Sequence, residues 1–207
     1  MSKSYDAIII GAGIIGACVG FELAKRGQRV LNLDRLSGAG SGSTAGSCAV
    51  IRLYYSTPDG VAMAREGYYY WLDWPRYLGT VDPTGMVKYI NTGAMVLKTE
   101  KNKYLKHVKA ALDELHVVYE ELDADGIRQL MPIVDTRRFG PPVLADDPRF
   151  GQPSGEAIAG ALYIPESGLI SDPKQSVHNV QMAAEQAGGE YRFNAEVADI
   201  LQKDGCC

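Results

Sequence analysis

The sequence predicts an α/β fold: a parallel sheet flanked by helices, carrying part of a second, α+β unit. Three observations lead there. The chain opens with a strand, a glycine-rich turn, a helix and a second strand, all between Asp6 and Asp34. A Gly/Ser-rich loop follows the second strand. A helix-and-strand pattern returns near the end, after an intervening segment of different character.

Ala7 to Ile10 is a short apolar run suited to a buried parallel strand. GAGIIG follows, with Gly11, Gly13 and Gly16. The helical pattern after it ends at Leu23-Ala24, and Gly27 sits where a helix would stop. Val30, Leu31 and Leu33 form the second strand, and Asp34 lies 18 positions beyond Gly16. This is the dinucleotide-binding fingerprint, which makes the expected domain Rossmann-like and FAD/NAD(P)-binding. Gly11 permits the tight turn, Gly13 admits a pyrophosphate to the backbone, and Gly16 lets helix and strand pack closely. The helix N-terminus offers unpaired N–H groups to phosphate. Asp34 can accept from a ribose 2′-OH and would repel a 2′-phosphate, so FAD or NAD is favoured over NADP.

Asp34 to Ser47 reads DRLSGAGSGSTAGS, a flexible composition placed where nucleotide folds build their ligand crevice. It has no Walker A lysine. AVIR, ending at Arg52, precedes Tyr54 and Tyr55. Pro58 opens a helix running to about Leu78, with Pro75 kinking or ending it. The aromatics Tyr68 to Trp71 and Trp74 are read as core packing. Val87 to Leu97 reads as two strands about a hairpin-like turn at Asn91–Gly93. Lys101–Leu115 is read as a helix, its lysines up to Lys109 on a solvated face. Val117–Glu121 reads as a strand and Ala124–Leu130 as a helix. Arg137–Ser154, rich in proline, is irregular. Ala161–Ile164 is a strand, and Pro173 to about Ala187 a helix ended by Gly188-Gly189. Tyr191–Phe193 and Glu196–Leu201 read as strands.

The expected division is residues 1–84 for the first part of the nucleotide domain, 85–163 for a partial substrate domain, and 164–207 for the nucleotide domain resumed. A parallel sheet buried on both faces needs neighbours that this pattern does not supply. The expectation is a truncated chain, with a partner chain as one possible source of the other half.

An apolar fraction of 46% suits a globular core, and a net charge of −4 gives no basic face for nucleic acid. The longest uncharged run, Ala7–Phe21, has fifteen residues, short of the roughly 20 a membrane span requires. No transmembrane segment is expected, and the cytoplasm is the expected location. Cys18, Cys48, Cys206 and Cys207 lack metal-ligand spacing. No metal is expected, and His107, His116 and His178 are read as structural.

With GAGIIG, the GSGST loop, AVIR-x-x-Tyr and YIPESGLISDP in this order, the chain resembles the FAD-dependent amine and amino-acid oxidoreductases. These are the D-amino-acid oxidase, glycine oxidase, sarcosine oxidase and dimethylglycine dehydrogenase-like group, and the resemblance covers the amino-terminal half of such proteins. It implies that Gly11, Gly13, Ile14, Ile15 and Gly16 form the pyrophosphate turn. Asp34 corresponds to the ribose-binding acid, more often Glu, and Arg35 borders the adenine. Ser43 and Thr44 correspond to the loop at the ribityl-pyrophosphate, and Val197 to a strand residue beside adenine. Arg52 corresponds to an arginine that holds the substrate carboxylate, and Tyr55 to a nearby active-site tyrosine. Some members tether the flavin through a histidine where this chain has Gly46, so the resemblance implies non-covalent FAD. A second family arginine is Ala49 here. The implied reaction is oxidation of a secondary amine or α-amino acid (sarcosine, dimethylglycine, glycine or a D-amino acid) to an imine. An inactive FAD-binding fragment or subunit, and an NAD-dependent dehydrogenase, are the alternatives.

Overall fold

The computed structural model describes residues 3–99, 102–155 and 157–202. Packing divides the chain into two units. The first comprises residues 1–50, 69–90 and 169–207; the second, 51–68 and 91–168. The sequence reading counted 51–68 with the first domain; by packing they group with the second unit.

In the first unit, strands β1 (Ala7–Ile10), β2 (Val30–Leu33) and β9 (Glu190–Arg192) form a parallel sheet in the order β1-β2-β9. The register sets Ile9 beside Asn32 and Asn32 beside Tyr191. Helices α1 (Ile14–Lys25) and α6 (Pro173–Gln186) pack on each other and on this sheet. Their small residues allow the approach: Ala17, Ala24, Ala183 and Ala184 are all buried. Asn32 is buried too, and its Nδ2 donates to Gly16 O at 2.9 Å. A Cβ on Gly20 would lie 2.3 Å from Asn32 Oδ1, so that glycine makes room for the amide. Asp172 caps α6 by accepting from Gln175 N, with Pro173 in the first turn.

In the second unit, β5 (Ala94–Leu97), β7 (Ala161–Ile164) and β6 (Glu120–Leu122) form an antiparallel sheet, order β5-β7-β6. Helix α4 (Leu105–Glu114) buries Leu105, Val108, Ala111 and Leu112. Helix α5 (Ala124–Leu130) buries Ile127, and Asp123 caps it through Gly126 N. A third short sheet has the order β3-β8-β4, from Val50–Ile51, Gly168–Ile170 and Tyr89–Asn91.

Several elements differ from expectation. Pro58–Leu78 is two helices, α2 (Pro58–Leu72) and α3 (Trp74–Leu78). Asp73 caps α3, and Pro75 has no N–H to continue the earlier ladder. Tyr68 and Trp74 are buried, whereas Tyr69 and Tyr70 are exposed. Asn91–Gly93 is not a hairpin turn, because β4 pairs with β8 and β5 with β7. Gly93, at φ 69°, donates to Ser167 O and packs so closely on Tyr163 that a Cβ would meet its ring at 2.3 Å. Helix α4 begins at Leu105, and residues 100–101 lie outside the described ones. Of its lysines, Lys109 pairs with Glu121. The expected strand at Val117 starts at Glu120, because Val117 N closes the helix end on Leu112 O while His116 takes φ 53°. Strand β8 lies inside PESGLISDP, where none was expected. Glu196–Leu201 is not a strand. Asn194, at φ 55°, turns the chain, and the N–H groups of Asn194 and Ala195 bond to Leu36 and Asp34. Cys206 and Cys207 fall outside the described residues.

Candidate functional site

The carboxyl ends of β1 and β2 open onto a cleft of about 400 Å³. Gly11, Gly13, Asp34, Arg35, Ser43 and Val197 line it. Ile14, Ile15, Gly16 and Thr44 do not, and each has a different position. Ile14 N donates to Thr44 Oγ1 at 3.2 Å, which ties the helix N-terminus to the Gly/Ser-rich loop. Ile15 is 80% exposed. A Cβ on Gly16 would lie 2.0 Å from Gly11 O, so Gly16 sets the contact between α1 and the turn after β1. Gly11 itself has φ 105°, open to glycine and strained for any L side chain.

Asp34 does more than face the cleft. Its Oδ2 accepts from Ala12 N at 2.7 Å and its Oδ1 from Leu36 N at 2.8 Å. The carboxylate therefore fastens the glycine turn to the turn after β2. Each oxygen keeps a second lone pair for a ribose hydroxyl. Gly40 N donates to Ala12 O at 2.8 Å, and a Cβ on Gly40 would press on Val177 at 3.0 Å. Ala12, Leu36 and Gly40 are the positioning groups the sequence reading missed. All three act through backbone N–H groups, Ala12 also through its carbonyl, so only the glycine at Gly40 left a mark in the composition. Val197 reaches the cleft because Ala195 N bonds to Asp34 O at 2.9 Å, not because it belongs to a strand.

Arg52 and Tyr55 belong to the second unit. Arg52 is exposed, while Leu53 beside it is fully buried and anchors the segment. The Arg52 guanidinium lies over the rings of Tyr54 and Tyr55, 5.0 and 4.9 Å from their centroids. The hydroxyls of Tyr55 and Tyr54 hold its pKa above the ordinary arginine value. Ala49, which opens the segment, has φ 60°, and its N–H donates to Ser47 Oγ.

Among the described residues no cluster of His, Cys, Asp and Glu could hold a metal ion. Burial pushes the Cys18 thiol up to about 11, so it is protonated and unreactive at neutral pH. His178 donates from Nδ1 to Asp82 Oδ2 at 2.6 Å. No helix among the described residues is long and apolar enough to cross a membrane.

A family model described as DAO, FAD dependent oxidoreductase, matches residues 6–207. The chain belongs to that family. Human peroxisomal sarcosine oxidase is 29% identical over 197 residues, covering 95% of this chain and 44% of the relative. Glycine oxidase from Geobacillus kaustophilus is 29% identical over 209 residues, covering 97% and 48%. The crystal structure of that organism's glycine oxidase superimposes with a TM-score of 0.72 at 25% identity, covering 95% of this chain and 48% of that one. The chain spans about half the length of the curated relatives it matches.

The first unit fits the family's cofactor on its own geometry. Gly13 caps α1 with extended backbone and no side chain, which leaves space over the helix N-terminus. The cleft continues from there past Asp34 to Val197, a path suited to pyrophosphate, ribose and adenine in turn.

Proposed function

We propose that this chain binds FAD without a covalent link and supplies the substrate-carboxylate anchor of an enzyme that oxidises a secondary amine or α-amino acid. The observation that carries the reading is the cleft at the carboxyl ends of β1 and β2, with Gly13 at the helix N-terminus and Asp34 beside it. Gly11 and Gly13 admit the pyrophosphate, Asp34 accepts from the ribose, and Arg35 and Val197 border the adenine. Ser43 lies toward the ribityl-pyrophosphate, while Thr44 holds the N–H of Ile14. Bound FAD would accept the electron pair of the substrate C–H bond. Arg52 would pair with the substrate carboxylate, and its planar fork suits two parallel hydrogen bonds. Tyr55 would close one side of that anchor. The carbon hydrogen would leave with its electron pair to the flavin and the nitrogen proton to solvent, giving an imine that water hydrolyses. The candidates are sarcosine, dimethylglycine, glycine and D-amino acids. The absence of a histidine between Asp34 and Ala49 supports a non-covalent flavin.

The test begins with colour. Purified protein loaded with FAD and precipitated with acid should release all its flavin. Yellow pellets would refute the non-covalent claim. The assay of Arg52 compares an amino acid with the matching amine lacking a carboxylate. In an active enzyme containing this chain, Arg52→Met should lower kcat/KM for the amino acid by two to three orders of magnitude. With flavin and substrate covering Arg52 the pair would be buried, and breaking a buried charge pair costs roughly 3–5 kcal/mol, at about 1.4 kcal/mol per tenfold. The amine should be far less affected. Equal slowing of both would assign Arg52 to the fold or the flavin instead.

A second reading is that the cleft of the first unit binds FAD within an assembly completed by a partner chain. The chain would then bind FAD alone and turn over substrate only with the partner. The proposed compartment is the cytoplasm, where unpaired thiols such as Cys18 and Cys48 persist.

A further inference from the structure

Arg52 is held differently from other arginines of this chain. Arg29, Arg128, Arg137 and Arg149 each pair with a carboxylate: Asp6, Asp125, Asp135 and Asp147. Among the described residues no carboxylate pairs with Arg52. Its guanidinium instead lies over two phenol rings, 5.0 Å from the Tyr54 centroid and 4.9 Å from that of Tyr55. The ring faces attract the cation and leave it without a carboxylate partner. All five N–H donors of a guanidinium lie in its plane. Contact with two ring faces therefore restricts the fork and leaves its charge unneutralised by any carboxylate.

The rings are themselves positioned. Leu53, fully buried, pins the backbone between Arg52 and Tyr54. Tyr54 is half-buried. Tyr55 rests against Gly60, where a Cβ would lie 3.0 Å from the tyrosine Cβ. Gly60 is fixed in turn by its N–H to Thr57 Oγ1 at 3.3 Å. The sequence Arg-Leu-Tyr-Tyr thus places two anchored rings against one flexible cation.

We infer that Tyr54 is a positioning residue: its ring, together with that of Tyr55, holds the Arg52 fork ready for a carboxylate. This rests on the reading of Arg52 as a carboxylate anchor and adds a residue to it. An arginine free in solvent loses side-chain freedom when it grips an anion. Here the rings impose that order before the anion arrives. The task falls to the ring face, 5.0 Å from the guanidinium, so loss of the Tyr54 hydroxyl alone should cost little.

The test uses the 207-residue chain with acetate as the probe. Acetate binding and the Arg52 Nε–Hε signal are followed by NMR in the parent, Tyr54→Phe, Tyr54→Leu and Arg52→Met. Tyr54→Phe should bind acetate within about twofold of the parent and keep slow guanidinium rotation. Tyr54→Leu should bind about fivefold to tenfold more weakly, with faster rotation, as one ring contact and its ordering are lost. Arg52→Met should lose the binding. If Tyr54→Leu matches the parent while Arg52→Met does not bind, the positioning role is wrong and the carboxylate anchor stands. If Tyr54→Phe falls as far as Tyr54→Leu, the hydroxyl acts and the inference is overturned. If Arg52→Met binds acetate like the parent, the anchor itself is wrong, and Tyr54 with it.

Discussion

Gly13 and Gly16 stand three residues apart and answer to different demands. A Cβ on Gly16 would strike the Gly11 carbonyl at 2.0 Å, and backbone cannot swing aside as a side chain can. Gly16→Ala should therefore force α1 away from the turn and cost about 1–3 kcal/mol of stability, the usual range for overpacking. A Cβ on Gly13 meets only Thr44 Oγ1, at 3.2 Å. Gly13→Val should leave the fold largely intact while abolishing FAD binding, because its side chain would occupy the pyrophosphate's space. Urea unfolding and FAD titration of both variants separate the two effects. Equal stability of Gly16→Ala and the parent would contradict the packing argument; unchanged FAD affinity in Gly13→Val would contradict the site. Asp34→Ala removes an acceptor from both Ala12 N and Leu36 N. It should loosen the turn as well as weaken binding, since a hydrogen bond to a charged group contributes about 1.5–3 kcal/mol. The packing role of Gly16 was legible because the spacing of the glycine turn dictates it. The second task of Asp34 was not, because its backbone partners could be any residue type.

At the scale of elements, helices were read more faithfully than strands. The apolar spacing of α1, α5 and α6 is local, and their caps stand next to them in sequence. Strands β4, β5 and β8 take partners distant in sequence, so the hairpin about Asn91 looked plausible and was wrong. The segment from Asp82 to Val87 is joined to α6 by a network equally distant in sequence. Asp82, 3% exposed, accepts from Thr84 N and Oγ1, from His178 Nδ1 and from Asn179 Nδ2. Asn179, fully buried, also donates to Gly85 O and accepts from Val87 N. Burial pushes the Asp82 carboxyl up, but hydrogen bonds from Thr84, Asn179 and His178 outweigh it and bring it down to about 2. A folded-state pKa below the unfolded value, near 4, means stability present above about pH 4 and lost as pH falls toward 2. Asp82→Ala should lower stability at pH 7 by about 1–3 kcal/mol, because the buried Asn179 amide loses an acceptor. Its unfolding midpoint should also change less than the parent's between pH 4 and pH 2. A variant as acid-sensitive as the parent would place that sensitivity elsewhere.

For the molecule as a whole, the place of the cleft at the carboxyl ends of β1 and β2 could be read from the sequence and the surface around it could not. Order of motifs located the cleft, since β-α-β connection has a fixed hand and brings loops to one end of the sheet. Exposure depends on what covers a strand, which no local pattern states. Strand β1 has a hydrogen-bonded neighbour on one side among the described residues, and its run is uncharged. Ile9 faces α1, where its Cγ2 would meet a Gly16 Cβ at 3.3 Å. Ile8 and Ile10 alternate to the other face and are 53% and 57% exposed. An apolar strand with an open edge is a template for pairing between chains. The 207-residue chain should therefore associate as concentration rises, and Ile8→Lys should raise the concentration at which it does so. Ile8 is the residue to change, because Ile10 lines the cleft. Surface substitutions usually alter stability by no more than about 0.5 kcal/mol, so the thermal midpoint should hold. Charge offers a control. The added lysine moves the net charge from −4 toward zero, which by itself favours association. Met63→Lys makes the same change of charge at a residue that is 77% exposed in the second unit. Light scattering across a concentration series should show Ile8→Lys more resistant than the parent and Met63→Lys no more resistant. If the two variants respond alike, the open edge of β1 is not what drives association.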